Sequence, residues 1–212
     1  MIDYWIAVRD NIAARSRHGA APVSGPRPAG INIRQAAVFK RLEAEVRRID
    51  LDGPAAVDWS KVNALSLNIL SNQSKDMLVA AWATYGLFRV EGYEGLAVGF
   101  GVLRGMVETY WEELFPSIGR HGARAGAVDW LVHLGPPLVA HEPIEADASA
   151  VIAAWDALDG LARGLSAKLT NGQVALEVLF RALQPHYERA NEAIASAAEH
   201  AAVEAMQAAG QG

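Results

Sequence analysis

The sequence predicts an all-α fold, an antiparallel multi-helix bundle followed by a long C-terminal helical pair. Apolar residues recur at helical spacing through most of the 212 residues, and clusters of glycine and proline separate the periodic segments. No stretch shows the strict alternation of a half-buried strand. Because 51% of the residues are apolar, the chain can bury one large core or two small ones.

Two helices are predicted in the first quarter of the chain. The first covers residues 3–15, and the second covers residues 34–49 and is ended by the Asp-Gly-Pro run at 52–54. Between them, residues 19–30 combine three prolines with three glycines, which predicts an extended connection over the surface. The apolar stripe of the first helix consists of Tyr4, Trp5, Val8 and Ile12.

The next two helices carry clear start signals. Asp58 is a favoured N-cap for a helix over residues 59–71. Ser74 is expected to cap a fourth helix, with Asp76 in its first turn, where a negative charge meets the positive end of the helix dipole. Gly92 is expected to end this helix.

The fifth predicted helix, residues 93–114, has the cleanest apolar pattern in the chain, and Phe115-Pro116 stops it. Four glycines inside it would each cost about 1 kcal/mol relative to alanine. That cost indicates a close approach of a neighbouring helix to the bare backbone. The four glycines are Gly95, Gly99, Gly101 and Gly105.

A change of composition divides the second half of the chain. A short helix is predicted over residues 124–134, and a loop with three prolines over 135–143. The sequence becomes alanine-rich after this loop. We therefore expect an N-terminal helical domain over residues 1–140 and a helical pair over 141–212 that packs on it, with one continuous domain as the alternative.

The alanine-rich part reads as two long helices, over residues 147–169 and 173–208, with a turn at Asn171-Gly172. Pro185 is expected to kink or interrupt the second of them, because proline lacks the backbone N–H that a helix interior needs. The last turns hold few large apolar residues and are expected to fray.

The composition excludes several classes of function. A net charge of −5 argues against a nucleic-acid surface, and the absence of cysteine excludes disulfides and thiolate metal sites. No window of about 18 uncharged apolar residues exists, so no membrane insertion is expected, and the first residues do not resemble a signal peptide. A cytoplasmic protein is the default expectation.

No arrangement of residues predicts catalysis or a bound cofactor. Ser74 and Lys75 are neighbours, and neighbours on a helix point about 100° apart, so they cannot form a dyad. The six histidines form no pair at metal-ligand spacing, and Glu112 and Glu113 are expected to face solvent. The sequence therefore predicts no catalytic, cofactor-binding or metal-ligating residue.

Ordered motifs link the predicted helices. They are Pro28-Ala29-Gly30-Ile31-Asn32-Ile33-Arg34, Val57-Asp58-Trp59-Ser60-Lys61-Val62, Ser74-Lys75-Asp76-Met77, Val79-Ala80-Ala81-Trp82, Glu91-Gly92-Tyr93-Glu94-Gly95-Leu96 and Tyr110-Trp111-Glu112-Glu113-Leu114-Phe115-Pro116. In this order and spacing, over residues 22–135, the chain resembles the ImpA-type N-terminal domain of the TssA proteins of bacterial type VI secretion systems.

The resemblance implies a non-enzymatic assembly protein that works in the cytoplasm. Its implied partners are baseplate, tail sheath or tube proteins of the secretion apparatus, and a homo-oligomer is a further possibility. The residues that carry the resemblance are expected to be structural. They are Gly30, Arg34, Asp58, Trp59, Ser74, Lys75, Asp76, Trp82, Gly95, Tyr110, Trp111 and Pro116.

Two other functions remain open at this point. One is a hydrolase that acts on a small ligand in a helical-bundle site, which would need a deep pocket with two or more buried titratable groups. The other is a self-associating scaffold that dimerises through the long C-terminal pair. A filled core with an exposed apolar patch would favour a docking protein over the hydrolase.

Overall fold

A computed structural model describes residues 1–117, 121–169 and 175–209. These residues form helices joined by turns, with two isolated β-bridges and no strand among them, which confirms the all-α prediction. The α-helices are α1 (Ile2–Ser16), α2 (Ala37–Val46), α3 (Arg48–Asp52), α4 (Trp59–Asn72), α5 (Met77–Tyr110), α6 (His121–Asp129), α7 (Gly135–Ala140), α8 (Ala148–Lys168) and α9 (Glu177–Ala209). Short 3-10 turns lie at Pro54–Ala56, Trp130–Leu134 and Glu145–Asp147.

Helix α5 is the centre of the molecule and reverses direction at Gly92. Gly92 has φ 63° and ψ −140°, a conformation open mainly to glycine. The chain folds back there, so that the first half of α5 packs against the second. A Cβ at Gly99 would lie 2.6 Å from the Cα of Thr84, and one at Gly95 would touch the carbonyl of Leu87. The predicted end of a helix at Gly92 and the predicted close approach are therefore both seen.

Helices α1 and α8 run parallel to the second half of α5, while α4 covers the first half. A Cβ at Gly101 would touch the Ser16 hydroxyl of α1, and one at Gly160 of α8 would lie 2.6 Å from Nε of Arg104. Leu96, Phe100, Leu103 and Val107 are buried in the resulting interface. One apolar cluster includes residues from α1, α2, α4, α5 and every later α-helix.

The start of α5 corrects the predicted cap. Ser74 does not cap a helix, and Asp76 does, because its carboxylate accepts hydrogen bonds from the backbone N–H groups of Leu78 and Val79 at 2.9 and 3.2 Å. Both residue types are good caps, but residues 74 and 75 are held in extended backbone pairing and cannot join the helix. Asp58 caps α4 as predicted, accepting from the N–H of Lys61.

The connection between α1 and α2 is non-helical and mostly exposed, as predicted, but part of it is buried. Gly19, Val23 and Ala29 are buried, and a Cβ at Gly19 would collide with the backbone of Val102. Proline and glycine exclude a helix here but say nothing about burial. Helix α2 begins at Ala37 instead of residue 34, and the chain breaks at Arg47 before the short α3.

Two further boundaries differ from the prediction. The second half of α5 ends at Tyr110, four residues early, in a turn that runs into a cis bond between Phe115 and Pro116. The predicted loop over residues 135–143 contains helix α7, with prolines in its first turn. Proline is tolerated there because the first N–H groups of a helix have no intrahelical partner.

The C-terminal pair α8 and α9 is antiparallel. Trp155 packs against Phe180 and Tyr187, with ring centroids 5.1 and 4.6 Å apart. Helix α9 continues through Pro185 without an interruption, while the alternative of a kink there stays a prediction. Its last turns stay helical to Ala209 with exposed side chains. The predicted turn at Asn171-Gly172 lies outside the described residues. None of the helices described is long and apolar enough to cross a membrane.

Candidate functional site

Three segments that are distant in the sequence meet at the start of α5. Residues 73–77 pair by backbone hydrogen bonds with residues 29–31 on one side and with Phe115 on the other. Lys75 N–H donates to the Ala29 carbonyl at 2.8 Å, and Phe115 N–H donates to the Lys75 carbonyl at 3.0 Å. Most of the residues that carry the family resemblance lie at or next to this crossing, which we call the junction.

Arg34 and Asp76 form a two-bonded ion pair at the junction. Arg34 Nε lies 2.8 Å from Asp76 Oδ2, and its second nitrogen lies 2.9 Å from Oδ1. The Asp76 side chain is fully buried, whereas that of Arg34 is 30% exposed. Asp76 therefore fastens the segment before α2 to the first turn of α5 with a single carboxylate.

Burial and pairing act in opposite directions on the Asp76 carboxyl. Burial raises the pKa of Asp76 above its ordinary value, while the Arg34 guanidinium and the two backbone N–H donors oppose that rise. All of the observed hydrogen bonds at this carboxyl are donated to it. The geometry is thus that of an ionised carboxylate with its acceptors in use, and it offers no free general base.

Lys75 is fully buried and points in the other direction. Its ammonium donates to the carbonyls of His18 and Leu70 at 2.7 and 2.8 Å, and it lies 5.9 Å from the ring centre of Tyr110. Burial lowers the pKa of Lys75 to about 8. The Tyr110 hydroxyl donates to the Ala20 carbonyl at 2.7 Å, so both side chains secure the segment that follows α1.

A second buried cation, Arg124, holds the chain after α5. Its guanidinium donates to the carbonyls of Trp111, Leu114 and Pro116 at 2.6, 2.6 and 2.7 Å. The group also lies 4.7 Å above the Trp111 ring. Sequence reasoning missed Arg124, because one arginine near the start of a short helix carries no signal of its depth. We call Arg34, Lys75, Asp76 and Arg124 the polar hub.

The other residues of the resemblance are packing residues. Trp82 lies 5.6 Å from Phe39, and Trp59 lies 4.7 Å from Tyr85, while the Trp59 indole N–H donates to the Pro54 carbonyl at 2.8 Å. The buried hydroxyl of Ser74 has no hydrogen-bond partner among the described residues. Gly30 has φ 78°, and a Cβ there would collide with the carbonyl of Gln73.

Two surface cavities flank the junction. One has a volume of about 280 Å³ and is lined by residues that include Val23, Arg27, Ile31 and Gln73. The other has a volume of about 240 Å³ and is lined by Asn32, Arg34, Phe115, Pro116, Ser117 and Ala123. Ile31 and Asn32 lie between them, and the Ile31 side chain is 55% exposed. We call the surface formed by Arg27, Ile31, Asn32, Asn72 and Gln73 the junction face.

A second buried polar group lies between α7 and α9. Nε2 of His186 lies 3.0 Å from the Leu138 carbonyl oxygen, and its Nδ1 lies 2.7 Å from a nitrogen of Arg189. Arg189 in turn contacts Glu142 at 2.6 Å. Since the guanidinium can only donate, Nδ1 is the acceptor of this hydrogen bond, and Nε2 is left to donate to the Leu138 carbonyl. Both ring nitrogens are therefore occupied by structural partners.

The described residues contain few ingredients of a reaction centre. No group of three His, Asp or Glu side chains among them could hold a metal ion. Besides the two cavities at the junction, we describe one of about 160 Å³ beside His186 and one of about 380 Å³ between α1, α5 and α8. None of these four cavities is lined by two buried titratable side chains.

Comparison with known proteins gives a family match over a region that includes the junction. The sequence model of the family described as "ImpA, N-terminal, type VI secretion system" matches residues 20–133, more than half of the chain. A solved structure of the N-terminal domain, including the conserved ImpA_N region, of the TssA component of the type VI secretion system from Burkholderia cenocepacia is similar in fold. The two structures superpose with a TM-score of 0.67 at 19% identity, over 84% of this chain and 92% of the other. No curated protein matches the chain.

Proposed function

The chain belongs to the ImpA N-terminal family of the type VI secretion system, and from that premise we propose that it is a non-enzymatic docking component of the apparatus. The proposed partners are proteins of the baseplate, the tail sheath or the tube, and the proposed location is the cytoplasm. The observation that carries this proposal is that the buried side chains of Lys75, Asp76 and Arg124 make their hydrogen bonds to the chain itself. Arg34, which is 30% exposed, binds Asp76 through two of its nitrogens.

The internal hydrogen bonds of the buried hub side chains favour binding over catalysis. A catalytic carboxylate or amine needs a free lone pair or proton that faces a cavity. Asp76 accepts from three residues and Lys75 donates to two carbonyls, and both side chains are fully buried. Buried charges of this kind hold a backbone in one arrangement, and they are costly unless every partner is present.

The hub fixes an irregular surface, and we propose that this surface is the docking site. Irregular segments on a rigid scaffold commonly carry binding residues. The junction face is such a segment, because Arg34, Lys75 and Tyr110 hold its two sides to α5 while Ile31 stays 55% exposed. An apolar side chain between two cavities is a suitable anchor for a partner side chain.

Binding assays with purified components test the proposal. The chain is immobilised and exposed in turn to baseplate, sheath and tube proteins of the same secretion system, and affinities are measured by biolayer interferometry. We expect saturable binding to at least one of them. The change Ile31→Glu places a charge at the centre of the junction face and is expected to weaken that binding by tenfold or more, in line with the loss of an interface anchor.

A matched control separates a local effect from a general one. Leu51 is 79% exposed on α3, away from the junction face, and Leu51→Glu introduces the same charge. The control is expected to bind like the unmodified chain. Equal weakening by both changes would remove the junction face from the proposal, and no binding to any of the three classes would remove the docking function itself.

A further inference from the structure

The last part of α9 extends beyond the body of the protein. The helix runs antiparallel to α8, and Ala190 and Ala193 line a cavity with Ala148 at the start of α8. Residues 198–209 continue past that point with exposed side chains, over roughly 18 Å at 1.5 Å per residue. We call residues 192–209 the tail. The tail contains three glutamates and no lysine or arginine.

One face of the tail combines acidic and apolar side chains. Glu192, Glu199, Val203 and Met206 follow one another at spacings of seven, four and three residues, which places them on the same side of a helix. Val203 is 51% exposed and Met206 is 75% exposed. The two glutamates are exposed as well. This face has no cover within the described residues.

A complementary face lies on α1. Ile2, Ile6 and Arg9 follow one another at spacings of four and three residues, on one side of the helix beside its buried stripe, and Arg17, eight residues further on, directly follows the last residue of α1 in helical backbone conformation. Ile2 is 38% exposed and Ile6 is 54% exposed. Arg9 and Arg17 are exposed and make no ion pair with any described residue. We call these four residues the α1 face.

A groove beside the α1 face is lined by small residues and by charged side chains that include Arg9 and Arg17. It lies between α1, α5 and α8, has a volume of about 380 Å³, and includes Ala13, Ala97, Gly101 and Ala153 in its lining. Small side chains allow a second helix to approach the backbone closely. Arg104, Glu108 and Asp156 also line the groove, and Arg104 is bonded to Glu108 at 2.7 Å.

The two faces match in register when the helices run antiparallel. Measured from Ile2, the residues Ile6, Arg9 and Arg17 lie roughly 6, 10 and 22 Å along the axis. Measured backwards from Met206, the residues Val203, Glu199 and Glu192 lie roughly 4, 10 and 21 Å along it. Met206 thus meets Ile2, Val203 meets Ile6, Glu199 meets Arg9, and Glu192 meets Arg17.

We infer that the tail of one copy of this chain docks on the α1 face and groove of a second copy. Within one copy the contact cannot form, because α9 leaves the body at the end of α8 that lies beside Trp5 and points away from Arg9 and Arg17. Each copy supplies one tail and one α1 face, so the contact is heterologous. Repeated from copy to copy, it builds either a closed ring or an open chain of copies. This inference does not depend on which secretion protein the chain binds, and its failure leaves the docking proposal standing.

Analytical ultracentrifugation of the full chain tests the inference. The average mass is expected to rise with protein concentration at about 0.1 M salt. It is expected to rise less at about 1 M, where charges are screened within about 3 Å. The single reversals Arg9→Glu and Glu199→Lys each turn an attractive pair into a repulsive one and are expected to weaken self-association by roughly fivefold or more. Both positions are exposed, and circular dichroism is expected to show unchanged helix content.

Mixing the two variants gives the sharpest outcome. In an equal mixture, each tail finds a complementary α1 face on the other variant, so self-association is expected to return to the level of the unmodified chain. Arg163→Glu on α8 and Glu188→Lys on α9, outside the tail, serve as controls with the same charge changes and are expected to behave like the unmodified chain. A chain that stays monomeric at 0.1 M salt, reversals that match the controls, or a mixture that does not recover would each overturn the inference.

Discussion

Asp76 shows how one side chain can hold two distant parts of this protein together. Its carboxylate caps α5 through Leu78 and Val79 and binds Arg34, which lies 42 residues earlier. The two roles reinforce each other, because the cap fixes the side-chain conformation that the arginine requires. Removal of this carboxylate would leave the Arg34 guanidinium and two backbone N–H groups without an acceptor, which is costly in a buried position.

Replacement of this residue is therefore expected to be severe. Asp76→Ala removes the ion pair and the cap together, and we expect a loss of about 3 kcal/mol or more in the free energy of unfolding. Urea denaturation followed by circular dichroism measures it. Glu108→Ala, which breaks the exposed pair with Arg104, is the control and is expected to change stability by about 1 kcal/mol at most. Similar losses in both variants would contradict the role assigned to Asp76.

Gly30 is required for its conformation and for the space beside it. Gly30 has φ 78° and no room for a Cβ, whereas Gly53 has φ 80° and open space around it. Gly53→Ala is expected to cost about 1–2 kcal/mol from backbone strain alone. Gly30→Ala is expected to cost clearly more, because the methyl group would also collide with Gln73, and thermal unfolding of the two variants makes the comparison. Equal melting temperatures would rule out the close crossing at the junction.

At this scale the sequence places the charged residues in ordered motifs but does not predict what they contact. Arg34, Lys75 and Asp76 stand in the ordered motifs, but their partners lie 42 residues away in one case and 57 in another. Local spacing cannot reveal such contacts. The burial of Arg124 could not be predicted from the sequence, because it depends on the turn after α5 and on the path of the chain from Trp111 to Pro116.

At the scale of elements, Glu45 joins α2 to the start of α4. Its carboxylate binds Lys61 at 2.7 Å and Arg48 at 2.9 Å, and it also accepts from the backbone N–H of Asp58. The Lys61 hydrogen bond, followed by the one from Asp58, lowers the pKa of Glu45 to about 2, against the opposing effect of burial. The contact thus ties the cap of one helix to the side of another.

This lowered pKa predicts a dependence of stability on pH. Because the folded pKa lies below the unfolded value, the contribution is fully present above about 4.5 and is lost as the pH falls towards 2. Both cationic partners are about half exposed, so solvent screening reduces the effect to roughly 1–2 kcal/mol. Urea denaturation at pH 7 and pH 3 is expected to show a smaller difference for Glu45→Gln than for the unmodified chain. Identical pH profiles would contradict the assignment.

The helices could largely be predicted from periodicity, while their ends could not. Asp58 and Gly92 mark real boundaries, since capping and positive φ are local properties. The cap at Ser74 was wrong because backbone pairing with residues 29–31 outweighs local preference. Helix α7 was missed because prolines in a first turn look the same in the sequence as prolines in a loop.

At the scale of the whole molecule, we propose that the two segments divided at residues 140 and 141 form one continuous folding unit. Val151, Leu158 and Leu161 of α8 belong to the same apolar cluster as Leu96, Leu103 and Val107 of α5. Separation would expose both sets of side chains to water, at about 25 cal/mol for each Å² of apolar surface. The alternative is an N-terminal domain that is stable alone, with a helical pair that packs on it.

Calorimetry separates the two descriptions. A single unfolding transition is expected, with the calorimetric and van't Hoff enthalpies equal. A fragment of residues 1–140 is expected to lack a cooperative transition near the temperature of the full chain. Two resolved transitions, or a fragment as stable as the whole, would instead support the division into two domains.

The central claim is that the charged residues of the motifs build a rigid surface that binds another secretion protein. The affinity of the chain for purified baseplate, sheath and tube proteins, measured for the unmodified chain, Ile31→Glu and Leu51→Glu, tests it most directly. The account predicts saturable binding to at least one class, with a tenfold or greater loss for Ile31→Glu alone. Absence of binding to all three classes by a fully folded chain would contradict it.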